Sequence, residues 1–83
     1  MNKMEFWEFM IDKFAEYMKE QGYSGEYVKV VRKNLRKLLR EFGDLSDIDE
    51  NAIWQKYMNK SKYTRKNMQQ ALRNFKKWCK GEF

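Results

Sequence analysis

Six cations recur at three- and four-residue spacing between Lys29 and Arg40, namely Lys29, Arg32, Lys33, Arg36, Lys37 and Arg40, with no carboxylate among them. A second set, Lys62, Arg65, Lys66, Arg73, Lys76, Lys77 and Lys80, falls in a stretch with no Asp or Glu between Glu50 and Glu82. The chemistry open to such sets is electrostatic, the neutralisation of a polyanion rather than the making or breaking of a bond. On a helix, Lys29/Lys33, Arg32/Arg36, Lys33/Lys37 and Arg36/Arg40 are like-charge i,i+4 neighbours, each destabilising by roughly 0.2 to 0.5 kcal/mol. A face shaped only for solubility would place Glu between them. A polyanion site is therefore expected ahead of a solvated surface, and duplex DNA is the expected polyanion because an α-helix fits its major groove. A single-strand binder would expose aromatics for base stacking, whereas here most aromatics lie on apolar stripes, with Tyr23, Tyr27 and Tyr63 as the exceptions.

Other chemistries find little to work with. The chain has no His and one Cys, so an internal disulfide is excluded and neither a metal site nor a cofactor is expected. Cys79 shares a helical face with Phe75 and reads as a small buried hydrophobe. Glu5, Glu8, Asp12 and Glu16 share one helix face and read as solvated, and the carboxylates of residues 44–50 read as turn and cap residues. No nucleophile, base and orienting group belong together, so no catalytic residue is expected. The N-terminal apolar stretch is broken by Glu8 and Asp12, which argues against a signal peptide or a membrane span and for a cytoplasmic protein.

The elements that must position these residues follow from periodicity. With 83 residues, 42% hydrophobic and 17% aromatic, the chain suits one domain with an aromatic-rich core. It lacks Pro, and its Gly fall at 22, 25, 43 and 81, which predicts long helices with few stops. A first helix over about residues 4–21 carries Phe6, Trp7, Met10, Ile11, Phe14, Tyr17 and Met18 on one stripe. A second, over 25–42, is capped by Ser24 and buries Val28, Val31, Leu35, Leu38, Leu39 and Phe42. Asp49 caps a short third helix over about 50–59 whose inward side is Ile53, Trp54, Tyr57 and Met58. Ser61 caps a fourth over 62–80, which buries Met68, Ala71, Leu72, Phe75, Trp78 and Cys79 and stops at Gly81. Charge divides accordingly: six cations against two anions over 26–42, nine against one over 51–83, and an anionic excess elsewhere, for a net charge of +6.

Several runs carry a family resemblance. Phe14-Ala15-Glu16-Tyr17-Met18-Lys19-Glu20-Gln21-Gly22 precedes a capped basic helix that closes over Leu35 to Phe42, and Asp44-Leu45-Ser46-Asp47-Ile48 leads into the short helix. Ser61-Lys62-Tyr63-Thr64 then opens a helix closing with Ala71-Leu72-Arg73-Asn74-Phe75-Lys76-Lys77-Trp78. Over nearly its whole length the chain resembles the core-binding, SAM-like N-terminal domain of tyrosine recombinases and phage integrases. The resemblance implies an all-α, compact, four-helix bundle-like domain that clamps double-stranded DNA with the basic faces of its second and fourth helices. The positions carried over are Ser24, Lys29 and Lys33 from one, joined by Arg32, Arg36 and Lys37 on the same face. From the other come Ser61, Lys62, Tyr63, Arg65, Lys66, Gln69 and Arg73, joined by Lys76. Lys and Arg would serve the phosphates, and Gln69 with one or two Arg would read bases. The resemblance further implies protomer contacts through the first helix and a catalytic domain C-terminal to Phe83 in a parent recombinase. The family's chemistry needs a Tyr nucleophile, arginines and a histidine-containing motif, so without His this part is expected to hold DNA rather than cut it. The alternative is a free-standing basic module for an acidic protein or an anionic membrane surface, which requires an exposed apolar face.

Overall fold

Four side chains set where the backbone turns helical. Asn2 Oδ1 accepts from Glu5 N at 2.8 Å while Asn2 Nδ2 donates back to Glu5 Oε1 at 2.8 Å. Ser24 Oγ accepts from Tyr27 N at 3.2 Å, Asp49 Oδ1 from Ala52 N at 2.7 Å and Ser61 Oγ from Thr64 N at 3.1 Å. Each satisfies a first-turn N–H that has no intrahelical acceptor. In this computed structural model, which describes residues 1–81, the helices that follow are α1 (Lys3–Glu20), α2 (Gly25–Phe42), α3 (Glu50–Lys56) and α4 (Lys62–Cys79), with no strand among the described residues. The protein is thus all-α, a four-helix bundle-like domain.

The stops are equally local. Gly22, at φ 93°, lets Tyr23 N reach Met18 O at 3.2 Å and Gly22 N reach Lys19 O at 3.1 Å, the paired bonds of a Schellman ending. Gly43, at φ 79°, donates to Leu39 O at 2.8 Å and ends α2. The third helix is shorter than its periodicity predicts, ending at Lys56 rather than near Asn59. Tyr57 leaves helical geometry at φ −108°, ψ 35°, and its ring enters the core at 5% exposure. Met58, expected inward, is then turned out to 69% exposure, because the 100° step that would have buried it no longer applies past Tyr57.

Burial converges on one core: Ile11, Phe14 and Met18 from α1, five residues from Val28 to Leu39 on α2, Ile53 and Tyr57, and Met68, Ala71, Leu72 and Phe75 from α4. Leu45 and Ile48, within the acidic connection, also enter it at 1% and 3% exposure. Large rings bridge α1 to α4, with Trp7–Phe75, Phe14–Phe75 and Phe14–Trp78 centroids 5.9, 5.5 and 5.4 Å apart and tilted or edge-on, the arrangement aromatic quadrupoles favour. The radius of gyration of 12.3 Å is close to the roughly 12 Å of a compact chain of this length. No helix among the described residues is long and apolar enough to cross a membrane.

Two apolar expectations are corrected. Cys79 is exposed rather than buried, because it lies where α4 ends and only a shallow groove with Trp7, Leu45 and Phe75 flanks it. That partial desolvation pushes its thiol above the ordinary value. Phe6, expected on the buried stripe, is 44% exposed, as the flank of α1 that carries it is not covered.

Candidate nucleic-acid interface

The basic faces of α2 and α4 each divide into cations the fold uses and cations it leaves outward. On α2, Arg32 Nη2 lies 2.8 Å and Arg36 Nη2 3.4 Å from Asp12 Oδ1 of α1. Asp12, still 45% exposed, is thus partly solvated, as expected of an outer acidic face, and paired as well. It sits at the edge where α1 packs on α2, close to the flank that Arg32 and Arg36 share. Lys37, on the opposite flank, lies over the Tyr57 ring at 5.4 Å. Tyr57 is itself held above its ordinary pKa, first by burial and then by Glu41, with Arg40 opposing. Between the flanks, Lys29, Lys33 and Arg40 are exposed and have no ion pair or hydrogen bond among the described residues.

On α4 the same division is drawn by α3. Arg73 Nε donates to Glu50 Oε1 at 2.7 Å, with Nη2 on the same oxygen, and Gln69 Nε2 donates to Glu50 O at 2.9 Å. Lys76 Nζ donates to Ile48 O at 2.5 Å. Arg65 stacks on the Trp54 ring at 4.0 Å, within cation–π range, and Trp54 is half-buried beneath it rather than in the core. Arg65, Gln69, Arg73 and Lys76 thus fasten α4 to α3 and the loop before it. Base reading by Gln69 through Nε2 would require that bond to Glu50 to open. Lys62, Lys66 and Lys77 are exposed without an ion pair or hydrogen bond among the described residues.

The remaining expected positions lie at the helix starts. Ser24 and Ser61 are exposed, and their hydroxyl oxygens accept the capping N–H groups; Ser61 Oγ also donates to Thr64 Oγ1 at 3.0 Å. Tyr63 is 75% exposed, and Tyr23 and Tyr27 stack on each other with centroids 5.5 Å apart and rings 25° from parallel.

Two features were not read from the sequence. One is the shared use of Asp12 by Arg32 and Arg36, for which a lone carboxylate i,i+20 and i,i+24 from two arginines gives no local signal. The other is a shallow depression lined by Lys29, Arg32, Lys33, Arg36 and Arg40 and by no anion. Among the described residues no cluster of His, Cys, Asp and Glu could hold a metal ion. Comparison with protein-family models, curated proteins and solved structures returns no match.

Proposed function

We propose that this chain binds double-stranded DNA as a non-catalytic domain of the tyrosine-recombinase core-binding type, with the outward faces of α2 and α4 against the duplex. The observation that carries the reading is the set of unpaired cations: after every intramolecular partner is counted, Lys29, Lys33, Arg40, Lys62, Lys66 and Lys77 are still exposed without an ion pair or hydrogen bond among the described residues. Like charges held in register on two packed helices cost stability unless an outside anion offsets them. An 18-residue helix is about 27 Å long, and the domain's longest extent of 34 Å is close to one duplex turn of about 34 to 36 Å. The lysines serve phosphates, which positions the domain without specifying sequence.

Fluorescence anisotropy on a labelled duplex across a salt series tests this. With about six phosphates neutralised, log K falls against log salt with a slope near −5. A response flat in salt would sink the reading.

One observation favours a second surface of different character. Phe6 and Phe9 are 44% and 48% exposed on α1, with Lys13 Nζ 5.5 Å over the Phe9 ring and paired to Glu16 at 3.6 Å. Two exposed rings on a helix whose exposed carboxylates, Glu5, Glu8, Glu16 and Glu20, outnumber its cations, Lys3, Lys13 and Lys19, suit a protein partner, such as a neighbouring protomer or a catalytic domain of the parent protein, better than an anionic membrane, which attracts basic helices. Liposome co-sedimentation stronger than duplex binding would reverse that order.

A further inference from the structure

Where α1 packs on α2, the Asp12 carboxylate meets two guanidiniums whose hydrogen bonds are incompletely matched. A single oxygen, Asp12 Oδ1, serves both Arg32 Nη2 at 2.8 Å and Arg36 Nη2 at 3.4 Å. The second distance is long for a charge-assisted bond, which lies near 2.7 to 2.9 Å. The Nε atoms of Arg32 and Arg36 are both shut off from solvent without an acceptor among the described residues. A guanidinium is best satisfied when Nε and one Nη close a parallel fork on two oxygens of an anion, and Asp12 closes neither fork. Beside them lies the depression whose walls are five cations, three of them, Lys29, Lys33 and Arg40, with no ion pair or hydrogen bond of their own among the described residues.

We infer that this depression is a seat for one phosphate group, and that Asp12 is a carboxylate stand-in that holds Arg32 and Arg36 in place until phosphate displaces it. The inference rests on the DNA reading for its source of phosphate, a backbone phosphodiester, while the seat's own chemistry is that of phosphate in general. A phosphodiester offers two non-bridging oxygens, each able to accept more than one hydrogen bond, so the pair can be shared by both guanidiniums. Turning each Arg so that Nε and Nη face that pair of oxygens supplies the acceptor that Nε lacks, and Lys29 and Lys33 add attraction that Asp12 does not use. Asp12 keeps the two arginines ordered and facing the seam at the cost of resting affinity. Its carboxylate must be set free, and must regain counterions, each time phosphate enters.

The test uses the whole chain, ¹³C- and ¹⁵N-labelled, titrated with inorganic tripolyphosphate and followed at the arginine Nε–H resonances, with duplex anisotropy measured in parallel. In the wild type the Arg32 and Arg36 Nε–H signals shift on titration. In Asp12→Asn half-saturation falls about fivefold, the scale of one partly exposed ion pair, and the salt slope for duplex steepens by about 1. The double variant Arg32→Gln/Arg36→Gln loses the gain from Asp12→Asn. Absence of Nε–H shifts at Arg32 and Arg36 overturns the seat, as does an Asp12→Asn protein of wild-type circular dichroism and melting temperature that binds tripolyphosphate no tighter. If Asp12→Asn does not fold, the wild-type Asp12 carboxyl ¹³C signal decides: it moves on titration if Asp12 is displaced and stays if it is not. Nε–H shifts without duplex binding would keep the seat and overturn the DNA reading, whereas duplex binding without those shifts would do the reverse.

Discussion

Arg32 and Lys33 carry the same charge one position apart, yet they do different work. The 100° step between them turns Arg32 onto Asp12 and Lys33 into solvent. The same contrast holds on α4 between Lys66, which is exposed and unpaired, and Gln69, whose amide nitrogen is bonded to Glu50 O at 2.9 Å. Their variants should therefore separate. Lys66→Ala weakens binding to all duplexes about equally and lessens the magnitude of the salt slope by about 1, with unfolding by urea unchanged. Gln69→Ala lowers the urea unfolding free energy by about 1 kcal/mol, the scale of one hydrogen bond. Unaltered stability in Gln69→Ala would show that this bond holds nothing. A changed preference among duplexes in Gln69→Ala would return base reading to that residue.

At the scale of elements, short polar contacts decide how helices are held. α3 has only seven residues and is too short to be helical alone; Asp49 caps it, Ile53 anchors it, and Arg73 and Gln69 grip Glu50 from α4. Ser61→Ala removes the cap of α4 and should lower stability by about 1 kcal/mol, read as a drop in melting temperature. The start of α1 is tied to the connection after α2 by Lys3 Nζ to Asp44 Oδ2 at 2.6 Å. That hydrogen bond, with those from Ser46 N and Oγ, holds the Asp44 carboxyl well below its ordinary value of 3.8, and Asp44 raises Lys3 above 10.5. A lowered carboxylate contributes stability that is present above the unfolded-state value and is lost as pH falls through the folded one. The Lys3 side is present below 10.5 and lost as pH rises through its raised value. Asp44→Asn should thus flatten the acid limb of the melting temperature below about pH 4, and an acid limb identical to wild type would show that Asp44 adds nothing to it. Both groups lie at the surface, where screening by salt keeps such effects small.

Across the whole molecule, α2 and α4 bring separate cations to bear while α1 carries more exposed carboxylates than any other helix. Lys33 and Lys66 belong to different helices and share no partner. If one duplex meets both faces, the binding losses of Lys33→Ala and Lys66→Ala add within roughly 0.5 kcal/mol in the double variant. A double variant no weaker than the worse single one would mean that only one face engages DNA. The core sets the limit on such engineering: Phe14 and Phe75 are each 1% exposed and packed ring against ring, and either one changed to Ala should cost about 3 to 5 kcal/mol, a large share of the stability of a domain this size.

The amino-acid sequence by itself determined the four helices, three of their caps and the two glycine stops after α1 and α2, because each depends on residues within one or two turns: Ser24, Asp49, Ser61, Gly22 and Gly43 act on backbone atoms three to five positions away. It also determined most of the core, since the apolar period of Val28 to Leu39 and of Met68 to Phe75 is a local property. The tertiary structure alone decided which cations remain outward. Asp12 reaches Arg36 across 24 residues, Glu50 reaches Arg73 across 23 and Ile48 O reaches Lys76 across 28. No helical projection contains such pairs, because a projection gives the angle of a side chain about its own axis and not the neighbour it meets. The same limit hid the exposure of Phe6 and Cys79. An apolar residue on the right stripe is buried only where another element lies over it, and which stretches of stripe are covered is fixed when the helices pack.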